Sequence, residues 1–119
     1  SRGLGDVYKR QLHLIGTRQG EARAAAMLAE LGLAETAERP VREYSGGMRR
    51  RLALIRALLA PSDALALDEP FSGLDDENRA VCRAVLQRET VGKPVLLVTH
   101  DEDDAAGLDA RIIRLAPAR

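Results

Sequence analysis

Ala64-Leu65-Ala66-Leu67 is a run of apolar residues with no polar alternation, and it leads directly into Asp68-Glu69-Pro70. A short continuous apolar run is the pattern of a parallel-sheet strand covered on both faces. A second run, Val-Leu-Leu-Val at 95–98, enters Thr99-His100-Asp101 in the same way. Between them, residues 76–89 carry Val81, Cys82, Val85 and Leu86 as the inner face of a helix, and Gly92 and Pro94 break the chain before the second run. Strands alternating with helices predict an α/β domain with a mostly parallel sheet. In such sheets ligands bind beyond the carboxyl ends of the strands. Asp68, Glu69 and His100 stand at two of those ends. A short helix over 102–108 and a last strand over 111–115 complete this part of the chain.

Upstream, Ala24, Met27, Leu28 and Leu31 recur at i, i+3, i+4 and i+7, which predicts a helix over 21–31 with Gly32 as its C-cap. A polar connection with Pro40 follows. A second helix opens at Ser45-Gly46-Gly47, carries Leu52, Ile55 and Leu59 as its stripe, and stops at Pro61. Residues 1–11 show neither period and differ in composition from the Ala/Arg/Leu-rich remainder. They read as a flexible leader and a candidate non-native start.

The chain has 119 residues, 18 basic and 18 acidic, so the formal net charge is zero. That balance gives no global pull toward nucleic acid or anionic lipid. Leu, Ile, Val and Phe number 30, enough for a core and too many for intrinsic disorder. No apolar run approaches the roughly 18 residues of a membrane span, and no segment has the pattern of a signal peptide. The one cysteine, Cys82, excludes an internal disulfide and a cysteine-rich zinc site, and fits a reducing compartment. On the inner stripe of its helix it reads as a small core residue.

Three groups have chemistry to offer. Asp68 and Glu69 are adjacent carboxylates that would point to opposite sides of a strand. One could hold Mg²⁺ through its waters while the other activates a water, which suits nucleotide hydrolysis; alone, the pair also reads as the start of a polar turn. Ser45-Gly46-Gly47 leaves backbone N–H groups open to an anion, although alone it is an ordinary helix cap. Arg49, Arg50 and Arg51 follow where the helix dipole disfavours cations, and at least two of them read as a solvated basic face. His100 shares a sheet edge with the acidic pair, and a neutral histidine can bridge a phosphate and a water. His13 is assigned no role. The phosphate cradle G-x-x-x-x-G-K-[ST] does not occur: neither Lys9 nor Lys93 has the glycine pattern around it.

Taken in order, Tyr44-Ser45-Gly46-Gly47-Met48, Arg51-Leu52-Ala53-Leu54-Ile55-Arg56-Ala57-Leu58, the run from Ala64 to Glu69-Pro70, Ser72-Gly73-Leu74-Asp75 and Val98-Thr99-His100-Asp101 form one series. The series resembles the ATP-binding cassette (ABC) transporter ATPases, from about residue 12 to residue 115. The resemblance implies a partial P-loop NTPase (RecA-like) domain with part of the ABC helical subdomain: the helical subdomain and signature helix over 12–60, and the Walker B, D-loop and switch-histidine regions over 61–119. It implies that Ser45, Gly46 and Gly47 are the signature that meets the γ-phosphate of ATP held by a partner subunit. Asp68 would hold Mg²⁺ through water, and Glu69 would be the catalytic base. Asp75 would belong to the D-loop that crosses the dimer interface, and His100 would be the switch histidine. Tyr44 and Met48 depart from the usual Leu and Gln of the signature. With no Walker A and no recognisable Q-loop, the chain reads as the C-terminal half of such a domain.

The resemblance further implies an ATP-hydrolysing subunit that energises a transporter. Its partners would be a second ATPase subunit, placed head to tail, and transmembrane permease subunits, with no nucleic acid. It would be cytoplasmic, peripheral on the inner face of the cell membrane. Within the family the motifs look most like nitrate, sulfonate or taurine importers. Two alternatives stand beside this. One is a non-transport ABC ATPase of DNA maintenance or the ribosome. The other is a non-catalytic chain, truncated or lending its signature to a competent partner, inactive by itself.

Overall fold

The structure, a computed structural model, describes residues 18–36, 39–108 and 110–116. The expected leader and His13 lie outside the described residues. Helix α1 spans Arg18–Glu30 and begins earlier than the apolar stripe required. The stripe faces inward: Ala24, Met27, Leu28 and Leu31 are all buried. Gly32 closes the helix at φ 72°, with Leu33 N donating to Leu28 O (2.8 Å) and Gly32 N donating to Ala29 O (3.1 Å). These are the two bonds of a Schellman cap, whose left-handed residue favours glycine.

Two single 3-10 turns, Ala34–Thr36 and Val41–Glu43, lead to helix α2, Gly46–Leu59. Ser45 caps α2 by accepting a hydrogen bond from Met48 N at 3.1 Å. The predicted stripe of Leu52, Ile55 and Leu59 is buried, and so are Leu54 and Leu58. The wider buried arc follows from α2 packing against α1 on one side and, on another, against α3, Asp76–Glu89. Helix α3 has the predicted bounds. Asp75 caps it by accepting from Asn78 N at 2.8 Å, and Cys82, Val85 and Leu86 face inward.

Strands β1 (Leu65–Asp68) and β2 (Val95–Val98) pair in parallel, Leu65 opposite Val95 and Asp68 opposite Val98, with α3 as the crossover between them. The ladder runs one residue further, Glu69 N donating to Val98 O at 2.8 Å. Helix α4, Glu102–Ala106, ends two residues short of the expected bound.

Two expectations are corrected. The strands alternate instead of being covered on both faces: Leu65, Leu67 and Leu97 pack on the core, whereas Ala66, Asp68, Leu96 and Val98 are exposed. No described element covers that second face. Residues 111–115 form no strand, because no described strand offers them a ladder. Ile113 and Leu115 stand exposed there.

The core joins α1, α2, α3 and the loop after β1, through Phe71, Met27, Leu31, Leu33, Leu86, Val85 and Cys82. Burial pushes the Cys82 thiol up to about 11, so this cysteine is a packed, protonated core group as the sequence indicates. A charge cluster ties α1 to the far end of α3. Arg88 forks onto Glu30 (2.6 and 2.9 Å) and Arg23 meets Glu89 at 2.7 Å.

Candidate functional site

The site lies where the two strands end. Glu69 stands one residue past β1 with φ 50°, the one non-glycine residue of positive φ among those described. The left-handed region costs an L-residue about 1–2 kcal/mol, and the following Pro70 biases this position toward extended backbone. Neighbours hold it there. Its N–H is in the ladder, its carbonyl accepts from Arg50 Nη1 at 3.3 Å, and Ser72 N donates to the same carbonyl at 3.3 Å.

The Glu69 side chain turns to the end of β2. Oε1 accepts the His100 backbone N–H at 3.0 Å and lies against Nδ1 of the same residue. The imidazole is otherwise open, 90% exposed, while the Glu69 side chain is 24% exposed. A carboxylate that orients a histidine by one ring nitrogen leaves the other nitrogen free for a ligand. Asp68 sits on the uncovered face of β1, and its side chain makes no hydrogen bond or ion pair among the described residues. A single free carboxylate fits a cation that keeps most of its waters, as Mg²⁺ does. No group of three or more His, Cys, Asp or Glu that could hold a metal ion occurs among the described residues.

Ser45-Gly46-Gly47 lies beside the turn that follows Glu69. A Cβ on Gly47 would stand 3.4 Å from Leu74 Cδ2 and 3.8 Å from Gly73 O, whereas a Cβ on Gly46 would meet nothing within 4 Å. Ser45 Oγ is engaged in its cap. The N–H groups of Gly46 and Gly47, which have no acceptor within the helix, have no partner among the described residues. Tyr44 is buried and Met48 packs on the core, so the two residues that flank Ser45-Gly46-Gly47 serve packing. Asp75, expected at a dimer interface, uses its carboxylate to cap α3.

The three arginines near the start of α2 divide as expected, Arg49 and Arg50 exposed and Arg51 partly buried. Each donates to a backbone carbonyl. Arg49 reaches Arg42 O (3.1 Å), Arg50 reaches Glu69 O, and Arg51 reaches Leu31 O (2.8 Å) and Gly47 O (3.2 Å). Carbonyl dipoles thereby offset the unfavourable position of these cations near the helix start.

Several participants were not singled out in the sequence. Phe71, fully buried, anchors the turn between Glu69 and Asp75. Arg79 and Arg83 of α3 meet the acidic run after His100. Arg79 Nη1 donates to Asp101 Oδ2 at 2.8 Å, and Arg79 Nε lies 3.4 Å from Asp104 Oδ1 without hydrogen-bond geometry. Arg83 Nη1 lies 3.5 Å from the same oxygen. Burial pushes the Asp104 carboxyl above its ordinary range, against the pull of Arg79 and Arg83. The available signal was two arginines four residues apart on one helix, with a run of four acids two elements later.

The model of the family described as ABC transporter matches residues 5–72, more than half of the chain. The chain is 44% identical over 103 residues to the aliphatic sulfonates import ATP-binding protein SsuB 1 of Rhodococcus jostii (strain RHA1), covering 85% of this chain and 42% of that protein. It is also 44% identical to the daunorubicin resistance ATP-binding protein DrrA3 of Streptomyces coeruleorubidus, covering 86% and 33%. To the taurine import ATP-binding protein TauB of Pseudomonas entomophila (strain L48) it is 42% identical, covering 83% and 39%. The chain thus spans less than half the length of these relatives. Among solved structures it is similar to the archaeal ribosome recycling factor aABCE1, crystallised with the ribosomal stalk protein aP1. The TM-score is 0.71 at 28% identity, over 84% of this chain and 18% of that one. The ordered motifs, the parallel βαβ unit with its carboxylate–histidine pair, and these matches agree: the chain belongs to the ABC transporter family.

Proposed function

We propose that this chain is the C-terminal part of an ATP-hydrolysing subunit that energises a transporter. The observation that carries the reading is the contact between Glu69 and His100 across the ends of two adjacent parallel strands. Glu69 is the general base that takes a proton from the attacking water. His100, oriented through Nδ1, presents its other nitrogen to the γ-phosphate. Asp68 would hold Mg²⁺, which would supply positive charge against the phosphates. Gly46 and Gly47 offer their free N–H groups to the γ-phosphate of a nucleotide held by a second ATPase subunit, placed head to tail, with Asp75 at the shared interface. The remaining partners are transmembrane permease subunits, which place the protein on the cytoplasmic face of the membrane. No helix among the described residues is long and apolar enough to cross one. Relatives named for aliphatic sulfonate and taurine import favour uptake of a small sulfonated acid.

The test is ATP turnover by the intact protein carrying Glu69→Gln. The amide oxygen of Gln still accepts the His100 N–H, so the strand ends stay joined while the base is lost. Turnover falls at least 100-fold and nucleotide binding is retained. Unchanged turnover would refute Glu69 as the base, whereas a wild-type protein with no turnover of its own would leave the non-catalytic, signature-lending reading. A second reading, a ribosome-associated ATPase, is favoured by the likeness to the ribosome recycling factor. Cosedimentation with ribosomes instead of with membranes would establish it.

A further inference from the structure

We propose that Arg79 is a positioning residue that sets the place of His100 and couples it to the turn at 72–75; this rests on the reading of Glu69 and His100 given above. Arg79 lies on the first turn of α3, directly after the cap at Asp75, and its backbone N donates to Asp75 O at 2.9 Å. Its guanidinium reaches in two directions. Toward the turn, Nη2 donates to Leu74 O at 3.5 Å. Toward the histidine loop, Nη1 donates to Asp101 and Nε faces Asp104.

Both chain neighbours of His100 are thereby held. Asp101 is gripped directly. Thr99 is gripped through Asp104, to whose Oδ2 it donates at 3.5 Å, and Thr99 Oγ1 in turn accepts Asp101 N at 3.0 Å. Asp104 is 3% exposed and makes no hydrogen bond through Oδ1, so the arginines are what compensate its charge. The His100 side chain has little packing of its own, being 90% exposed. Its position follows from the backbone on either side and from Glu69. A guanidinium can serve three acceptors in fixed directions, and an ammonium cannot. A shift of the histidine loop by about 1 Å is the size of error that costs up to about 100-fold in rate.

The experiment uses the intact protein and three variants, Arg79→Ala, Arg79→Lys and His100→Ala, with the double variant of the first and last. Arg79→Ala lowers kcat about tenfold or more with KM for MgATP within about twofold, and Arg79→Lys lies between it and wild type. In the His100→Ala background, Arg79→Ala adds no further loss. If Arg79→Ala does not fold, Arg79→Lys carries the test. In parallel, the ring-nitrogen NMR signals of His100 shift in Arg79→Lys, which reports placement whether or not the site hydrolyses ATP. Wild-type kcat in both Arg79 variants overturns the proposal. So does an equal loss with and without His100, or an unmoved His100 signal. If His100→Ala and Glu69→Gln both turn over normally, the hydrolytic reading falls, and the NMR result alone then decides whether Arg79 places His100.

Discussion

Gly46→Ala separates what the fold needs from what the proposed ligand needs. Gly46 is the first residue of α2, its φ is not positive, and an added Cβ would meet nothing within 4 Å. The fold therefore has no use for a glycine here. Replacing glycine by alanine at a compatible position removes freedom from the unfolded chain and stabilises by about 0.4–1 kcal/mol. The ligand has the opposite requirement. The open space over Gly46 is where an anion must come to reach the N–H groups of Gly46 and Gly47, and a methyl group would stand in it. A hydrogen bond to a charged group contributes about 1.5–3 kcal/mol, so losing one lowers phosphate affinity by about 10- to 150-fold. The assay is a thermal melt of the intact protein beside its rate of ATP hydrolysis. The variant melts slightly higher than wild type and hydrolyses at least tenfold more slowly. A higher melt with undiminished hydrolysis would refute the assignment of this helix start as a phosphate contact. A lower melt would refute the description of its surroundings.

Two predictions concern stability alone. Phe71→Ala empties a fully buried site under the turn at 72–75 and costs about 3–5 kcal/mol, measured by urea unfolding. Hydrogen bonds from Arg88 hold the Glu30 carboxyl below its ordinary range. Burial raises Glu89, but Arg23 and Arg88 outweigh it and hold that carboxyl low as well. Both folded values lie below the ordinary 4.5. Their contribution is therefore present above pH 4.5 and is lost as pH falls through the folded values. Arg88→Ala flattens that acid-side decline in thermal melts between pH 5 and about pH 3; an unchanged slope would show that the Arg88 pairs add nothing.

The sequence was informative wherever local chemistry decided the structure. The spacing of Cys82, Val85 and Leu86 named the buried face of α3, Gly32 marked the end of α1, and the spacing of Ala24, Met27, Leu28 and Leu31 named the buried face of that helix. It was less informative where distant neighbours decide. An apolar run such as residues 95–98 states that a strand can be covered, and not whether both faces are. Residues 111–115 have strand-forming side chains, yet a strand exists only with a ladder partner. The site shows the same division. Asp68, Glu69 and His100 were legible as polar residues at strand ends. The left-handed turn at Glu69 was not, since glutamate before proline gives no hint of it. Nor was the reach of Arg79 to Asp101, which depends on how α3 lies against the histidine loop.

If the proposed function holds, Glu69, His100 and the start of α2 belong to one ATP phosphate site. The most direct measurement is a structure of the intact protein carrying Glu69→Gln, trapped with MgATP. The γ-phosphate is expected within hydrogen-bond distance of His100 on one side and of the Gly46 and Gly47 N–H groups of the facing subunit on the other. A γ-phosphate that touches neither His100 nor that helix start would contradict it.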